Sequence, residues 1–420
     1  MKVAIMMRPM DHDSGFRAYT EALVDNMLQI DQESSYVLLY REPKWLGRFS
    51  GYTNAKEVLL GTSHKLFWDQ VLVPYIAWKQ RADVIFNPKF SIPLISHCPV
   101  TMGLQEPAWW TWPEQYEWLD RRYMRIMLPL YIHKAAHIFP MSNFILEENR
   151  KVLGLPLVNT TVAYSAPGKQ FRVIDEAEAL ERFREKYQLP ERLILSVTRV
   201  DHPGVENSTS FFPGKNPETT FRAYARIRKQ IPHKLVFAGR RVREYLLHTE
   251  GNNVDLEGVQ CLDFVPREDI PLLYNLAELF VNPAYYEGCP NTVIEAMACG
   301  CPIVSANTGG SQDVGAGAAM LADPYKPEEF AHHMLKILNN EALRQELSAK
   351  SLQKAALFSW ERTASLTLEG LRHVVEKTNS NRKIPPTCPK KFPKMGGFLK
   401  VVKPLVGGIL LLLKTNNKLT

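Results

Sequence analysis

Along the first 165 residues, short apolar blocks alternate with longer stretches in which apolar positions recur every three or four residues. The block at 2–7 reads as a buried strand. A turn with Pro9 and Asp11 follows, and Gly15 opens a predicted helix with Tyr19, Leu23 and Met27 on one face. Apolar blocks at Tyr36–Tyr40, Asp83–Phe86, Val100–Gly103, His137–Met141 and Thr161–Ala163 are separated by helix-like segments at 67–79, 114–135 and 143–153. Strands that are apolar throughout fit a parallel sheet covered on both faces. No G-x-G-x-x-G follows the first strand, which speaks against a dinucleotide fingerprint there.

From about 166 to 190 the chain turns polar and charged and shows no strand pattern. A second series then begins: Leu193–Val197, a helix at 217–230, Lys234–Ala238, Val259–Val265, a helix at 268–277, Leu279–Asn282, a helix at 291–299 and Pro302–Ser305. Helices at 327–338, 341–357 and 360–376 close the folded part. The predicted class is α/β, with two Rossmann-like doubly wound domains facing a cleft, C-terminal helices and a flexible tail. The domains are placed at 1–170 and 191–359 with a linker at 171–190, a helix at 360–376 packing back on the first domain, and a tail at 377–420.

At 420 residues the chain is long enough for two or three domains, and 45% hydrophobic with 23% charged residues marks it as an ordinary folded protein. The formal charge of +7 is misleading, because residues 381–420 hold nine Lys/Arg and no Asp/Glu, leaving the rest slightly acidic. Such a body has no electrostatic footprint for nucleic acid. Six cysteines without C-x-x-C pairs give neither a disulfide framework nor a zinc pattern, which favours a reducing compartment. MKVAIMMRPMDHD lacks the apolar core of a signal peptide. The longest apolar run, Pro404–Leu413, has ten residues, about half of the ~20 that a spanning helix needs. A cytoplasmic protein is expected. Basic residues from Lys390 to Lys403 beside that run fit peripheral contact of the 390–413 tail with an anionic membrane at the inner face.

The stretch richest in chemistry runs from Tyr285 to Pro302, from a strand end through a tight loop into a helix. Gly288 allows close backbone approach, Asn291 or Thr292 can cap, and free N–H groups of the new helix favour an anion or sugar hydroxyls. Glu287 and Glu295 are eight positions apart, one in the loop and one about a turn inside the helix, so they can reach different parts of an elongated ligand. Spacing alone favours the bland reading, a solvated Glu287 and a helix-surface Glu295.

The sequence EGCPNTVIE, with its continuation AMACGCPIV, resembles the E-x7-E element of the retaining nucleotide-sugar glycosyltransferases of family 4, which have the GT-B fold. GAAMLADPYKPEEF, LRQEL and FSWERTA downstream, and HIFPMSNF, VTRV and Lys215-Asn216 upstream, extend the resemblance over about 1–376. It implies a hexosyltransferase that uses a UDP- or GDP-sugar donor and a saccharide or lipid-linked acceptor, in polysaccharide or glycolipid biosynthesis, with no metal or other cofactor. Glu287 matches the carboxylate near the donor sugar and Glu295 the one that holds the ribose hydroxyls, with Gly288, Cys289, Asn291 and Thr292 lining the donor. Arg199 and Lys215 match the cations on the donor pyrophosphate. Fixed cations there stabilise charge that accumulates on the leaving group. Gly15 resembles the glycine that admits the donor phosphates, and the first domain would take the acceptor.

The chain departs from the family pattern in two places. DHPGVENSTSFFPG makes a long insertion between Arg199 and Lys215, and Gln105-Glu106 stands where many members have His-Asp. Gln105 can bond a sugar hydroxyl but cannot titrate near neutral pH. Asp11-His12-Asp13 spells a metal motif in the wrong place, in the first loop of a doubly wound domain. His133 and His137, read as sharing one helix face, lack the Glu and the third ligand of a zinc site. Trp109, Trp110, Trp112 and Trp118 with Tyr116 form either a core cluster or an acceptor surface. The rival functions are a catalytically silent carbohydrate-binding relative and, against the missing glycine fingerprint, a nicotinamide-dependent oxidoreductase.

Overall fold

The computed structural model describes residues 1–11, 15–62, 64–200 and 213–381. Two six-stranded sheets carry the fold. The first holds β1 (Lys2–Met6), β2 (Ser35–Tyr40), β3 (Ala55–Leu59), β4 (Val84–Asn87), β5 (Val100–Leu104) and β6 (His137–Pro140), in the order β3-β2-β1-β4-β5-β6. The second holds β7 (Leu193–Val197), β8 (Lys234–Ala238), β9 (Val259–Leu262), β10 (Ala277–Asn282), β11 (Ile303–Ala306) and β12 (Met320–Ala322), in the order β12-β11-β10-β7-β8-β9. Every pairing is parallel. In each sheet the chain builds three strands outward and then returns to the other side of its first strand. The order therefore reverses between β1 and β4, and again between β7 and β10, and such reversals open crevices beyond the carboxyl ends of the strands.

The chain divides into two compact units. One comprises Met1–Met141, Ile145–Ala163 and the residues from Glu361 on; the other comprises Ser142–Phe144 and Tyr164–Trp360. Central strands are buried as their apolar blocks require, for example Val84, Ile85 and Phe86 in β4 and Leu279, Phe280 and Val281 in β10. From Glu361 the last helix, Trp360–Asn381, lies with the first unit, where Arg372 pairs with Asp31 at 3.3 Å. A Cβ on its Gly370 would come 2.7 Å from the Phe139 ring, so the helix backbone runs against β6 there.

The structure differs from the sequence expectation at several elements. The 171–190 linker holds a helix, Ala177–Tyr187, and it belongs to the second unit because Phe171, Phe183 and Leu189 are buried in that unit's core. Phe183 and Tyr187 lie one turn apart on its apolar side, their rings 4.7 Å apart. β3 and β12 are edge strands that pass unnoticed in the sequence, β3 because it is exposed enough to lack an apolar block and β12 because it is only three residues long. Thr161–Ala163 forms no strand of its own; it follows β6 through the bonds Thr161 N–H to Ile138 O and Ala163 N–H to Pro140 O. His137 lies on β6 rather than on a helix with His133. The last helix runs to Asn381, past the expected end at 376, with Thr378 and Ser380 hydroxyls bonding back to the preceding turn. The 390–413 tail and the insertion at 201–212 lie outside the described residues.

Candidate functional site

The turn Pro213–Lys215 ends at Asn216, which adopts a left-handed conformation (φ 55°) and caps the helix Pro217–Ile227 by accepting from Thr219 N–H. Asn216 is fully buried, and its Nδ2 donates to Pro283 O and Pro324 O, each at 2.8 Å. Tyr285 N–H donates to Gly214 O at 3.0 Å. These bonds fasten the turn that carries Lys215 to the loop that follows β10. The outcome is an ion pair, Lys215 Nζ to Glu287 Oε2, at 2.8 Å.

Glu287 keeps only 9% of its side chain exposed. Its second oxygen, Oε1, is buried without a hydrogen-bond partner among the described residues. A carboxylate oxygen left bare in such a place is an acceptor that a ligand hydroxyl can satisfy. The Asn291 Oδ1 atom, on the same loop-helix segment, is also buried without a partner.

The far side of the loop is clamped by its backbone. Gly310 N–H donates to Glu287 O at 2.7 Å, and Ser142 Oγ donates to Gly288 O at 2.7 Å. A Cβ on Gly310 would fall 2.2 Å from Gly288 O, so only glycine permits this approach. The helix Asn291–Ala298 starts from Pro290 with no side-chain cap; Asn291 and Thr292, expected as caps, sit inside its first turn. Cys289 packs against the core of the second unit, and no disulfide joins the described cysteines.

Glu295 lies on that helix and is only 8% exposed. Arg267 Nη2 approaches its Oε1 at 3.3 Å. Burial pushes its carboxyl up to about 7, and the Arg267 charge opposes the rise. The bland reading of the two acids does not survive, since Glu287 is not solvated and Glu295 is not on the surface. Arg267 and the Gly309-Gly310 clamp were assigned no role in the sequence; the position of Arg267 just beyond β9, a strand end facing the ligand side, was the available signal.

The remaining candidates are scattered. Arg199 follows β7 and is exposed, with no ion pair among the described residues. Gly15 and Gln105 belong to the first unit. Gly15 is the exposed first residue of the helix Gly15–Ile30. Gln105 follows β5 and is buried, its carbonyl accepting from Asn149 Nδ2 while its own Nε2 has no partner. Asp11 is engaged by Arg41 at 2.7 Å. Of the tryptophans, Trp109 is buried between Phe90 and Tyr116, whereas Trp118 is 45% exposed.

Residues 204–354, which include Lys215, Glu287 and Glu295, match the family described as Glycosyl transferases group 1. The chain is 29% identical over 308 residues to the O-antigen chain mannosyltransferase B of Escherichia coli, covering 70% of this chain and 76% of that protein. It is 28% identical over 256 residues to the serotype-specific mannosyltransferase WbdA of Escherichia coli, covering 58% of this chain but only 30% of WbdA. A glycosyltransferase structure from Rickettsia africae superposes with a TM-score of 0.68 at 14% identity, covering 89% of this chain and 98% of that one. Anabaena HepE in complex with UDP superposes at 0.65 with 16% identity, covering 89% and 100%. The protein thus has the GT-B fold, and its residues 204–354 match the family of glycosyl transferases group 1.

Proposed function

We propose that the chain transfers a hexosyl group from a nucleoside diphosphate sugar to a hydroxyl of a growing polysaccharide or lipid-linked saccharide, with retention of configuration. The observation that carries this reading is the Lys215–Glu287 pair, with the second Glu287 oxygen left bare and Glu295 buried on the adjoining helix. Lys215 holds the diphosphate and stabilises the charge that builds as the C1–O bond breaks. Glu287 orients the sugar and eases the positive charge developing on it. Glu295 accepts from the ribose hydroxyls, and Arg199 adds a second cation when the donor is bound. The acceptor oxygen attacks from the face the diphosphate leaves, and a departing phosphate oxygen takes its proton.

Mannose is favoured as the transferred sugar by the relatives named mannosyltransferases. The HepE complexes with UDP and UDP-glucose support a nucleotide sugar as donor. No helix among the described residues is long and apolar enough to cross a membrane, and we place the protein in the cytoplasm, touching the inner face of the membrane through 390–413. Thermal stabilisation by GDP-mannose, UDP-glucose and the free nucleotides identifies the donor, because a ligand that binds only the native state raises its apparent stability. Proton NMR of the first product anomer reads the stereochemistry. An inverted product, or stabilisation by no nucleotide sugar, overturns the proposal.

A further inference from the structure

The two sheets share one strand order, so the reversal between β7 and β10 has a counterpart between β1 and β4. In the second unit the carboxyl ends at the reversal carry Arg199, after β7, and the loop of Glu287, after β10. In the first unit the same two places carry Arg8, after β1, and Lys89, after β4; Gln105 follows on the next strand, β5. Arg8 and Lys89 were assigned no role in the sequence, unlike Gln105.

Arg8 Nη2 donates to Ser91 Oγ at 2.5 Å and lies 3.3 Å from Asp69 Oδ2, whose side chain is 3% exposed. Asn87, fully buried, donates to Ser91 O and accepts from Lys89 N–H at 3.0 Å, which fixes the backbone where Lys89 departs. Among the described residues no hydrogen bond or ion pair reaches Lys89 Nζ; it lies over the rings of Phe16 and Phe90, 4.9 and 5.1 Å from their centroids. Burial, with the charges of Arg8 and Lys65 adding to it, brings its ammonium down to about 8, and only Glu106 pulls the other way. A cation held this way, between aromatic faces and beside two other cations, is completed by an anion.

We propose that Lys89 and Arg8, the latter positioned by Ser91 and Asp69, form a phosphoryl-binding site at the reversal of the first sheet. A phosphoryl group presents acceptor oxygens for the ammonium and for the remaining guanidinium donors, while Ser91, whose hydroxyl bonds Asp69 and accepts from Arg8, holds the guanidinium in place. Its use as a subsite for a phosphorylated acceptor rests on the glycosyl-transfer reading above; its binding of phosphate does not.

The test is calorimetric titration of the full chain with inorganic phosphate, against sodium chloride at equal ionic strength. Lys89→Met should weaken binding about tenfold or more, Lys89→Arg should restore most of it, and Lys215→Ala should leave it in place. Ser91→Ala, a milder change, should weaken it as well and covers the case in which Lys89→Met does not fold. No binding by the unaltered chain, or binding lost with Lys215→Ala and kept with Lys89→Met, overturns the proposal. Failure of transfer with phosphate binding intact would count against the function and not against this site. Competition by hexose 6-phosphate or by dodecyl phosphate then tells a sugar-phosphate source from a lipid one.

Discussion

Lys215 Nζ and Glu287 Oε2 stand 2.8 Å apart, although their backbones come from opposite sides of the β7–β10 reversal. The pair is preformed, because Tyr285 N–H to Gly214 O and Asn216 Nδ2 to Pro283 O tie the two loops together. In the proposed reaction an arriving diphosphate would meet a cation that already has a partner, so the ammonium would be shared between phosphate and carboxylate, which would link the leaving group to the residue proposed to lie beside the sugar.

That sharing sets apart the two substitutions. Glu287→Gln removes the competing charge and should leave nucleoside diphosphate affinity unchanged or tighter while turnover falls. Lys215→Ala should lower turnover by about 10²–10³, the scale for one preorganised charge-stabilising donor. Steady-state rates with calorimetry of the nucleotide separate the effects; a Glu287→Gln protein that loses nucleotide affinity contradicts the sharing. Turnover should also withstand EDTA, and inhibition reversed by magnesium would assign the leaving-group charge to a metal.

Gly310→Ala should damage the site without touching a charged group. Its Cβ would fall 2.2 Å from Gly288 O, and both atoms are backbone, so the Glu287 loop must move. A stability loss of about 1–3 kcal/mol is expected, with weaker nucleotide binding. Gly51→Ala, where nothing lies within 4 Å, is the control. Urea unfolding and nucleotide titration of both variants check this; equal behaviour would mean the clamp yields freely.

The central strands were legible because burial on both faces demands unbroken apolar blocks, as in Leu279–Asn282 and Val100–Gly103. The edge strand β3 escapes that demand and was silent, and the edge strand β12, though apolar, is three residues long and too short to stand out. The helix Ala177–Tyr187 was hidden because one apolar pair, Phe183 and Tyr187, anchors an otherwise charged surface. At the site, the spacing of Glu287 and Glu295 favoured exposed acids. Burial depends on partners far along the chain, such as Ser142 and Gly310 on the loop and Arg267 on Glu295. Arg8 and Lys89 stood out in no motif, since only the strand order makes them neighbours.

Membrane contact through the tail is expected to be electrostatic. Lys390, Lys391, Lys394, Lys400 and Lys403 precede the apolar run Pro404–Leu413, and each Lys near an anionic surface contributes about 1 kcal/mol. Sedimentation with anionic vesicles should retain the full chain, release it as salt rises, and not retain a chain ending at Asn381. Equal partitioning of the two chains rules the anchor out.

The raised carboxyl of Glu295 should make stability depend on pH and, on the proposed role of this residue, nucleotide binding as well. Its value is about 7 in the folded protein against 4.5 for an ordinary glutamate, because burial disfavours the charged form. Between those values the folded state holds a proton that the unfolded state has released. Stability therefore falls as pH rises from about 4.5 to about 7 and is level beyond, with a total near 3 kcal/mol from about 1.4 kcal/mol per unit. Glu295→Gln should flatten that slope in urea unfolding at a series of pH values. Binding runs the other way: the ionised carboxylate is the better acceptor for ribose hydroxyls, so nucleotide affinity should weaken as pH drops below about 7. Arg267→Ala removes the charge that opposes the rise, so the midpoint of that affinity profile should move up. A profile unmoved by Arg267→Ala, or one that persists in Glu295→Gln, would place the titrating group elsewhere.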